Sequence, residues 1–358
     1  MILALLACGP GNVDSGEAVV PWSDVGPSAA GTAGFSLTVP GREGPIPARA
    51  WYPAATLGDL PLEDLVSDPD DRDTLAALLA AAPVGCPSRT SPVSPEIATT
   101  GESAMPLLVY SHCHTCLGLS GATIAAHLAS HGFVVVAPDH AGNTLFDALD
   151  GDGGSLDEAT LAQRAADVSA VIDAALVDDF VHEGIRVDPD RIGVIGHSFG
   201  AVTVGRVLVT DPRVRAAMAM GAPFDNPLLQ GVDAAAVTEP VLLLELEEDH
   251  SVGALGNTLI EANYDELAGP AWLARMPDAG HWSVSDLCGV VDDLMPGCGD
   301  DTRQADLTPF TYVPAAEARA SAASVAAAFF SATLLGDGSA EAWLLDPDTT
   351  TDVSVEAR

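Results

Sequence analysis

The sequence predicts an α/β protein with a doubly wound, mainly parallel sheet and helices on both faces. Three observations carry this. From Met105 onward, short apolar runs alternate with longer helix-like stretches, the pattern of strands joined by helical crossovers. The apolar runs are nearly continuous, as in parallel strands buried on both sides. Finally, Gly196-His197-Ser198-Phe199-Gly200 stands between one such run, residues 191–195, and a helix-like stretch over 201–208. A Gly-x-Ser-x-Gly pattern in that place marks a sharp strand-to-helix turn with the serine hydroxyl pushed out above the sheet.

The elements follow in order. Residues 9–30 are rich in Gly, Pro, Ser, Ala and Asp and read as a tether. Residues 35–39 and 48–52 read as strands joined by a Gly/Pro-rich turn. An excursion over 56–104 holds one helix, 72–82, and then a Pro/Ser-rich loop. The regular pattern then begins, with strands at 107–110, 133–137, 191–195, 216–220, 241–246 and 272–276. Helices fall at 121–131, 156–176, 201–208 and 255–267, and a long alanine-rich helix at 315–335 closes the domain. The domain organisation is therefore a leader and tether over 1–30, one catalytic domain over 31–336 and a polar, frayed tail over 337–358. Right-handed crossovers put all strand C-termini on one edge, where ligands bind.

The chain has 358 residues, 48% of them apolar, enough for a large core. Its cations number 14, all arginine, against 51 Asp and Glu, for a net charge of −37. Such a surface repels phosphates and excludes nucleic acid and anionic headgroups as partners. Adaptation to high salt and a GC-rich genome account for it equally well. A monomer is expected. Leu5-Leu6-Ala7-Cys8 resembles a bacterial lipobox, although no basic stretch precedes it. It implies an exported lipoprotein, touching the membrane only through a lipid on Cys8. Cysteines stand at 8, 86, 113, 116, 288 and 298. In an exported protein Cys288 and Cys298 are placed to close a short loop, and Cys86 to meet Cys113 or Cys116.

A serine needs a base, and the base needs a group that holds its tautomer. In this chain order the acid and the histidine follow the serine. Only His250 and His281 do so. His281, after the last parallel strand, is the expected base. Asp249, in the loop ending the 241–246 strand, is the expected acid, with Glu247, Glu248 and Asp225 as competitors. The oxyanion of the transition state needs aimed N–H groups. The backbone of Phe199 is the first candidate and that of His114, in the loop after 107–110, the second. Leu145, Phe146, Phe224, Leu228, Leu229 and Trp282 are apolar candidates for the acyl pocket, with Phe224 and Trp282 as the expected substrate contacts. Arg164 and Arg206 fall on helices and are expected to point away from the serine. The substrate expected is a neutral small-molecule or lipid-like ester, with no cofactor and no metal.

Ala48-Arg49-Ala50-Trp51-Tyr52-Pro53, Val109-Tyr110-Ser111-His112, Ala137-Pro138-Asp139-His140-Ala141-Gly142-Asn143-Thr144, the 196–200 elbow, residues 240–249 and Gly280-His281-Trp282-Ser283 together carry a family resemblance. The chain resembles an α/β-hydrolase of the group holding platelet-activating-factor acetylhydrolases and predicted dienelactone hydrolases. Residues 240–249 are also similar to cutinase-like polyesterases. The resemblance implies a serine esterase working through an acyl-enzyme. Relatives have glycine where this chain has Cys113, and true dienelactone hydrolases use a cysteine nucleophile where this chain has Ser198. The rival readings are a zinc site built from His112, Cys113, His114, Cys116 and His140, and a non-catalytic surface protein on the same fold.

Overall fold

The structure, a computed structural model, describes residues 21–95, 104–177, 181 and 185–358. Cys8 and residues 9–20 of the tether expected over 9–30 lie outside the described residues. The chain begins with an antiparallel hairpin, β1 (Ala29–Leu37) and β2 (Ile46–Ala54). The excursion carries β3 (Leu60–Pro61), α1 (Pro69–Ala81), β4 (Thr90–Ser91) and β5 (Val93–Ser94). Next come β6 (Met105–Ser111), α2 (Ala122–Ser130), β7 (Val134–Pro138), α3 (Leu145–Leu149) and α4 (Glu158–Ala175). They are followed by β8 (Val187–His197), α5 (Phe199–Thr210), β9 (Val214–Met220), β10 (Val241–Leu246), α6 (Gly253–Glu266) and β11 (Ala271–Met276). The chain closes with a small hairpin, β12 (Asp300–Thr302) and β13 (Pro309–Thr311), then α7 (Ala315–Leu335), α8 (Gly338–Leu344) and β14 (Ser354–Ala357).

Among the described residues, ten strands form one sheet in the order β14-β11-β10-β9-β8-β6-β7-β2-β1-β5. From β11 to β7 every pair is parallel. This is the α/β-hydrolase arrangement that the sequence predicts. Alternate residues of each strand serve opposite faces, so two cores result. Leu108, Ile195, Met218 and Leu242 join α2 and α7 on one side, with Phe329 and Phe330 among the buried rings. Leu107, Val109, Val194 and Leu243 join α4, α5 and α6 on the other. The chain steps from β6 to β7 on one side and returns to β8 on the other. The C-terminal ends of β6 and β8 therefore flank the crevice where such sheets bind ligands.

Three expectations are corrected. The first strand starts at Ala29, and the segment before it is clipped to α2: Gly26 N donates to Ser130 Oγ (2.9 Å) and His127 Nε2 to the Trp22 carbonyl (2.9 Å). The tail over 337–358 is not frayed. Asp337 caps α8 through the amides of Ser339 and Ala340, and β14 pairs antiparallel with β11, from Trp272↔Ala357 to Arg275↔Ser354. Its polar residues face outward while Val353 and Val355 reach the core, and so brief an alternation escapes a composition reading. Among the described residues the cysteines pair as Cys86–Cys298 and Cys113–Cys116, leaving Cys288 free and buried. Chain closeness misled the expected pairing: Gly289 packs on Cys86, while burial pushes the Cys288 thiol up to about 12.

Candidate active site

The elbow is built from contacts that admit no side chain. A Cβ at Gly196 would run into the Gly200 carbonyl, and one at Gly200 into the carbonyl of Ser111, at the end of β6. Close approach at both positions brings the turn against the neighbouring strand. Ser198 takes up the strain, with φ 58° and ψ −120°. Its N–H donates to the Met220 carbonyl at 2.8 Å, which fixes the turn to β9.

The structure brings together the three residues singled out in sequence. Ser198 Oγ lies 2.8 Å from His281 Nε2, and His281 Nδ1 lies 2.6 Å from Asp249 Oδ2. The second oxygen of Asp249 accepts the amides of Ser251 and Val252, at 2.9 and 3.0 Å. The carboxylate is fully buried yet satisfied on both sides, and so stays in one orientation. Since Asp249 accepts at Nδ1, Nε2 of a neutral His281 is free to accept the serine proton.

The competing carboxylates are engaged elsewhere. Asp225 accepts the Ala234 amide (3.0 Å). Glu248 meets Arg303 (3.1 Å) and the Gln304 amide (2.9 Å), and Glu247 lines a separate polar cavity with Asp348 and Thr349. His250 lies 3.9 Å from Glu248 and 3.7 Å from Asp301. A partner not foreseen is His197, whose Nε2 is 2.8 Å from the His281 carbonyl. Burial lowers His197 to about 3, so it is neutral and donates that hydrogen.

An open cleft of about 170 Å³ lies over the serine, lined by His114, Leu156, Ser198, Phe199, Val202, Ala222, Asn226, Leu228, Leu229 and Val252. Phe199 opens α5, where helix N–H groups lack intrahelical partners. His114 follows β6 between the paired cysteines. Of the apolar candidates, Leu228 and Leu229 line the cleft. Phe224 does not: it is wholly buried in the core beside α5, where its backbone abuts Gly205. Trp282 also sits off the cleft, edge-on to His281 (4.9 Å between ring centres, 83°) and to His197. Leu145 is core, and Phe146 lines another cavity with Asp139 and Asp147. Hydrophobicity alone cannot tell a lining ring from a core ring. Leu156, Ala222, Asn226 and Val252 also line the cleft, from three separate segments, the loops before α4, after β9 and before α6, and none was singled out as a residue in sequence.

The His/Cys cluster is committed to its own contacts. Cys113 and Cys116 are bonded to each other, and His112 Nδ1 donates to the Cys113 carbonyl (2.7 Å). His112 Nε2 accepts the His140 amide (2.9 Å), and His140 Nδ1 donates to Asp167 (2.7 Å). Burial, with Arg164 nearby, holds both imidazoles well below the usual range and therefore neutral. Among the described residues no group of three or more His, Cys, Asp or Glu is placed to hold a metal ion. Arg206 pairs with Glu158 (2.7 Å), away from the cleft. Arg164 does not line the cleft, but it is buried beside it and lies against Phe199, its Cζ 4.9 Å from the ring centre.

Comparison with known proteins gives a consistent family. Residues of this chain are 29% identical over 160 residues to Lipase 1 of Moraxella sp. (strain TA144), covering 44% of this chain and 42% of that protein. They are 30% identical over 160 residues to the platelet-activating factor acetylhydrolase of Bos taurus, covering 34% of this chain and 36% of that protein. The chain thus spans less than half the length of these curated relatives. The solved structure of a ferulic acid esterase from Streptomyces cinnamoneus superposes with a TM-score of 0.68 at 25% identity, over 94% of this chain and 98% of that one. The model of the dienelactone hydrolase family matches residues 113–324, more than half of the sequence, and the chain belongs to that family.

Proposed function

We propose that the protein is a serine hydrolase that cleaves neutral carboxylic esters. The observation that carries this reading is the unbroken hydrogen-bonded chain from Asp249 through His281 to Ser198 at the mouth of an apolar cleft. His281 Nε2 takes the Ser198 proton as Oγ attacks the ester carbonyl. Asp249 holds the other ring hydrogen and stabilises the imidazolium. The oxyanion accepts the N–H groups of Phe199 and His114. Collapse passes the proton from His281 to the departing alcohol and leaves an acyl-enzyme. A water deprotonated by His281 then releases the acid. The relatives named as lipase, acetylhydrolase and ferulic acid esterase support ester chemistry. The apolar lining and the charge of −37 favour neutral over anionic acyl groups.

The test is labelling with a fluorophosphonate, together with turnover of a chain-length series of p-nitrophenyl esters. Wild type is expected to be labelled at Ser198 and to cleave acetyl to octanoyl esters far better than succinyl esters. A folded Ser198→Ala protein is expected to lose several orders of magnitude in turnover. Near wild-type turnover in that variant overturns the proposal. We also propose that the protein works outside the cytoplasm, anchored by lipid at Cys8. The two disulfides support an oxidising compartment, and mass spectrometry of the native protein showing an unmodified Cys8 would refute the anchor.

A further inference from the structure

We propose that Arg164 is a positioning residue for ester cleavage, a buried cation that sets both sides of the oxyanion site from beneath. This rests on the serine-esterase reading above.

Arg164 is carried by α4 and is 1% exposed. Its guanidinium reaches four acceptors on three other parts of the fold. Nε donates to Thr203 Oγ1 on α5 (3.2 Å) and Nη1 to Asn143 Oδ1 (2.5 Å). Nη2 donates to Ser111 Oγ (3.2 Å) and to the His112 carbonyl. Ser111 and His112 lead directly into the loop that carries His114. Asn143 reaches the same loop from its other side: because Arg164 occupies its oxygen, its NH₂ group turns to His114 Nδ1 (2.7 Å) and the Gly153 carbonyl (2.7 Å). His114 accepts at Nδ1, and burial keeps its ring neutral by lowering its affinity for a proton. Its remaining ring hydrogen is therefore on Nε2. The face of the guanidinium lies against the Phe199 ring. One side chain thus touches the residue that supplies one oxyanion donor and braces the loop that supplies the other.

The charge is as unusual as the geometry. Among the described residues, all four acceptors are neutral oxygens. The nearby carboxylate, Asp167, is taken by Arg42, through two bonds of 2.7 and 2.6 Å, and by His140. Burial lowers Arg164 to about 9, which leaves it protonated at neutral pH. A buried cation without a directly bonded anion is costly in the resting protein. It becomes better compensated when negative charge develops on the substrate oxygen. An interaction that strengthens in the transition state raises kcat and not ground-state affinity.

The experiment compares wild type with Arg164→Lys, Arg164→Met and Asn143→Ala. For each, near-ultraviolet circular dichroism, kcat and KM for p-nitrophenyl butyrate, and the Ki of an arylboronic acid are measured, the boronic acid forming an anionic tetrahedral adduct on Ser198. The expected result for Arg164→Met is a fall in kcat of about 10- to 100-fold, with KM within about threefold and boronate affinity falling by the same factor as kcat/KM. Arg164→Lys keeps the charge without the fork and is expected to recover part of the loss. Asn143→Ala tests the arm to His114 if Arg164→Met does not fold, and is expected to weaken boronate binding more than substrate binding. A folded Arg164→Met with wild-type kcat and boronate affinity overturns the proposal. So does an Asn143→Ala that leaves both unchanged when Arg164→Met does not fold. A wild-type chain that neither turns over the ester nor is labelled at Ser198 overturns the esterase reading, and this proposal with it.

Discussion

His197 donates its Nε2 hydrogen to the main-chain carbonyl of His281, 2.8 Å away. The residue just before Ser198 thereby holds the loop that carries His281, 84 residues further along the chain. The two imidazoles lie 4.9 Å apart, and the edge of Trp282 closes the group. Replacing His197 by Ala leaves a buried carbonyl unpaired, at a cost of about 1–3 kcal/mol. Denaturant melts are expected to show that loss, and kcat to fall by roughly tenfold as His281 loosens. A variant equal to wild type in both would mean that the bond positions nothing.

Acid stability is expected to depend on His127, which lines a cavity other than the cleft over Ser198. Burial and the neighbouring His131 lower it to about 4 in the folded chain, against an ordinary value of 6.5. Between pH 6.5 and 4 the unfolded chain takes up a proton that the native site refuses, so stability falls as pH drops through that window. Asp139 and Glu245, raised by burial to about 6 and 7, act in the opposite direction. Substituting His127→Gln keeps a donor for Trp22 and removes the titration. The slope of unfolding free energy against pH between 4 and 6.5 should drop by at most about 1.4 kcal/mol per pH unit. An unchanged slope would refute the assignment.

The Cys113–Cys116 bond spans His114, the residue proposed to supply the second oxyanion donor. Both sulfurs are buried, so mild reductant should act only slowly or after partial opening of the chain. The double replacement Cys113→Ala with Cys116→Ala is expected to lower kcat by up to about 100-fold, the effect of misplacing one donor, with KM little changed. Full activity in the double variant would show that the loop keeps its shape without the link.

With 14 cations against 51 carboxylates, self-repulsion should dominate in dilute buffer. The Debye length shrinks from about 30 Å at 0.01 M salt to about 3 Å at 1 M. Melting temperature is expected to rise by roughly 5–10 °C over that range, read by scanning calorimetry. A flat profile would mean that the carboxylates are spaced too widely to interact.

The sheet, its crossovers and the meeting of Ser198, His281 and Asp249 were legible because each follows from a local rule. Apolar runs mark buried strands, a Gly-x-Ser-x-Gly turn marks the elbow, and chain order in a parallel sheet brings three loops to one edge. The burial of Arg164 was not legible because a helical periodicity does not say which polar residue is drawn inward. Its four acceptors lie 21 to 53 residues away in the chain. Phe224 and Trp282 were misplaced for a related reason: a buried ring and a lining ring have the same composition. The link between Cys86 and Cys298 spans 212 residues, a distance over which sequence carries no pairing preference.

That link has a practical consequence. The covalent ring it closes contains β6, β7, β8, β9, β10 and β11, and with them Ser198, Asp249 and His281. A protease that cuts an exposed loop anywhere inside the ring, such as the stretch around Leu228, leaves two polypeptides that remain one molecule until a reductant is added. Single-site nicking would therefore be silent on a non-reducing gel and visible on a reducing one, and a nicked preparation would pass through size exclusion as an intact protein.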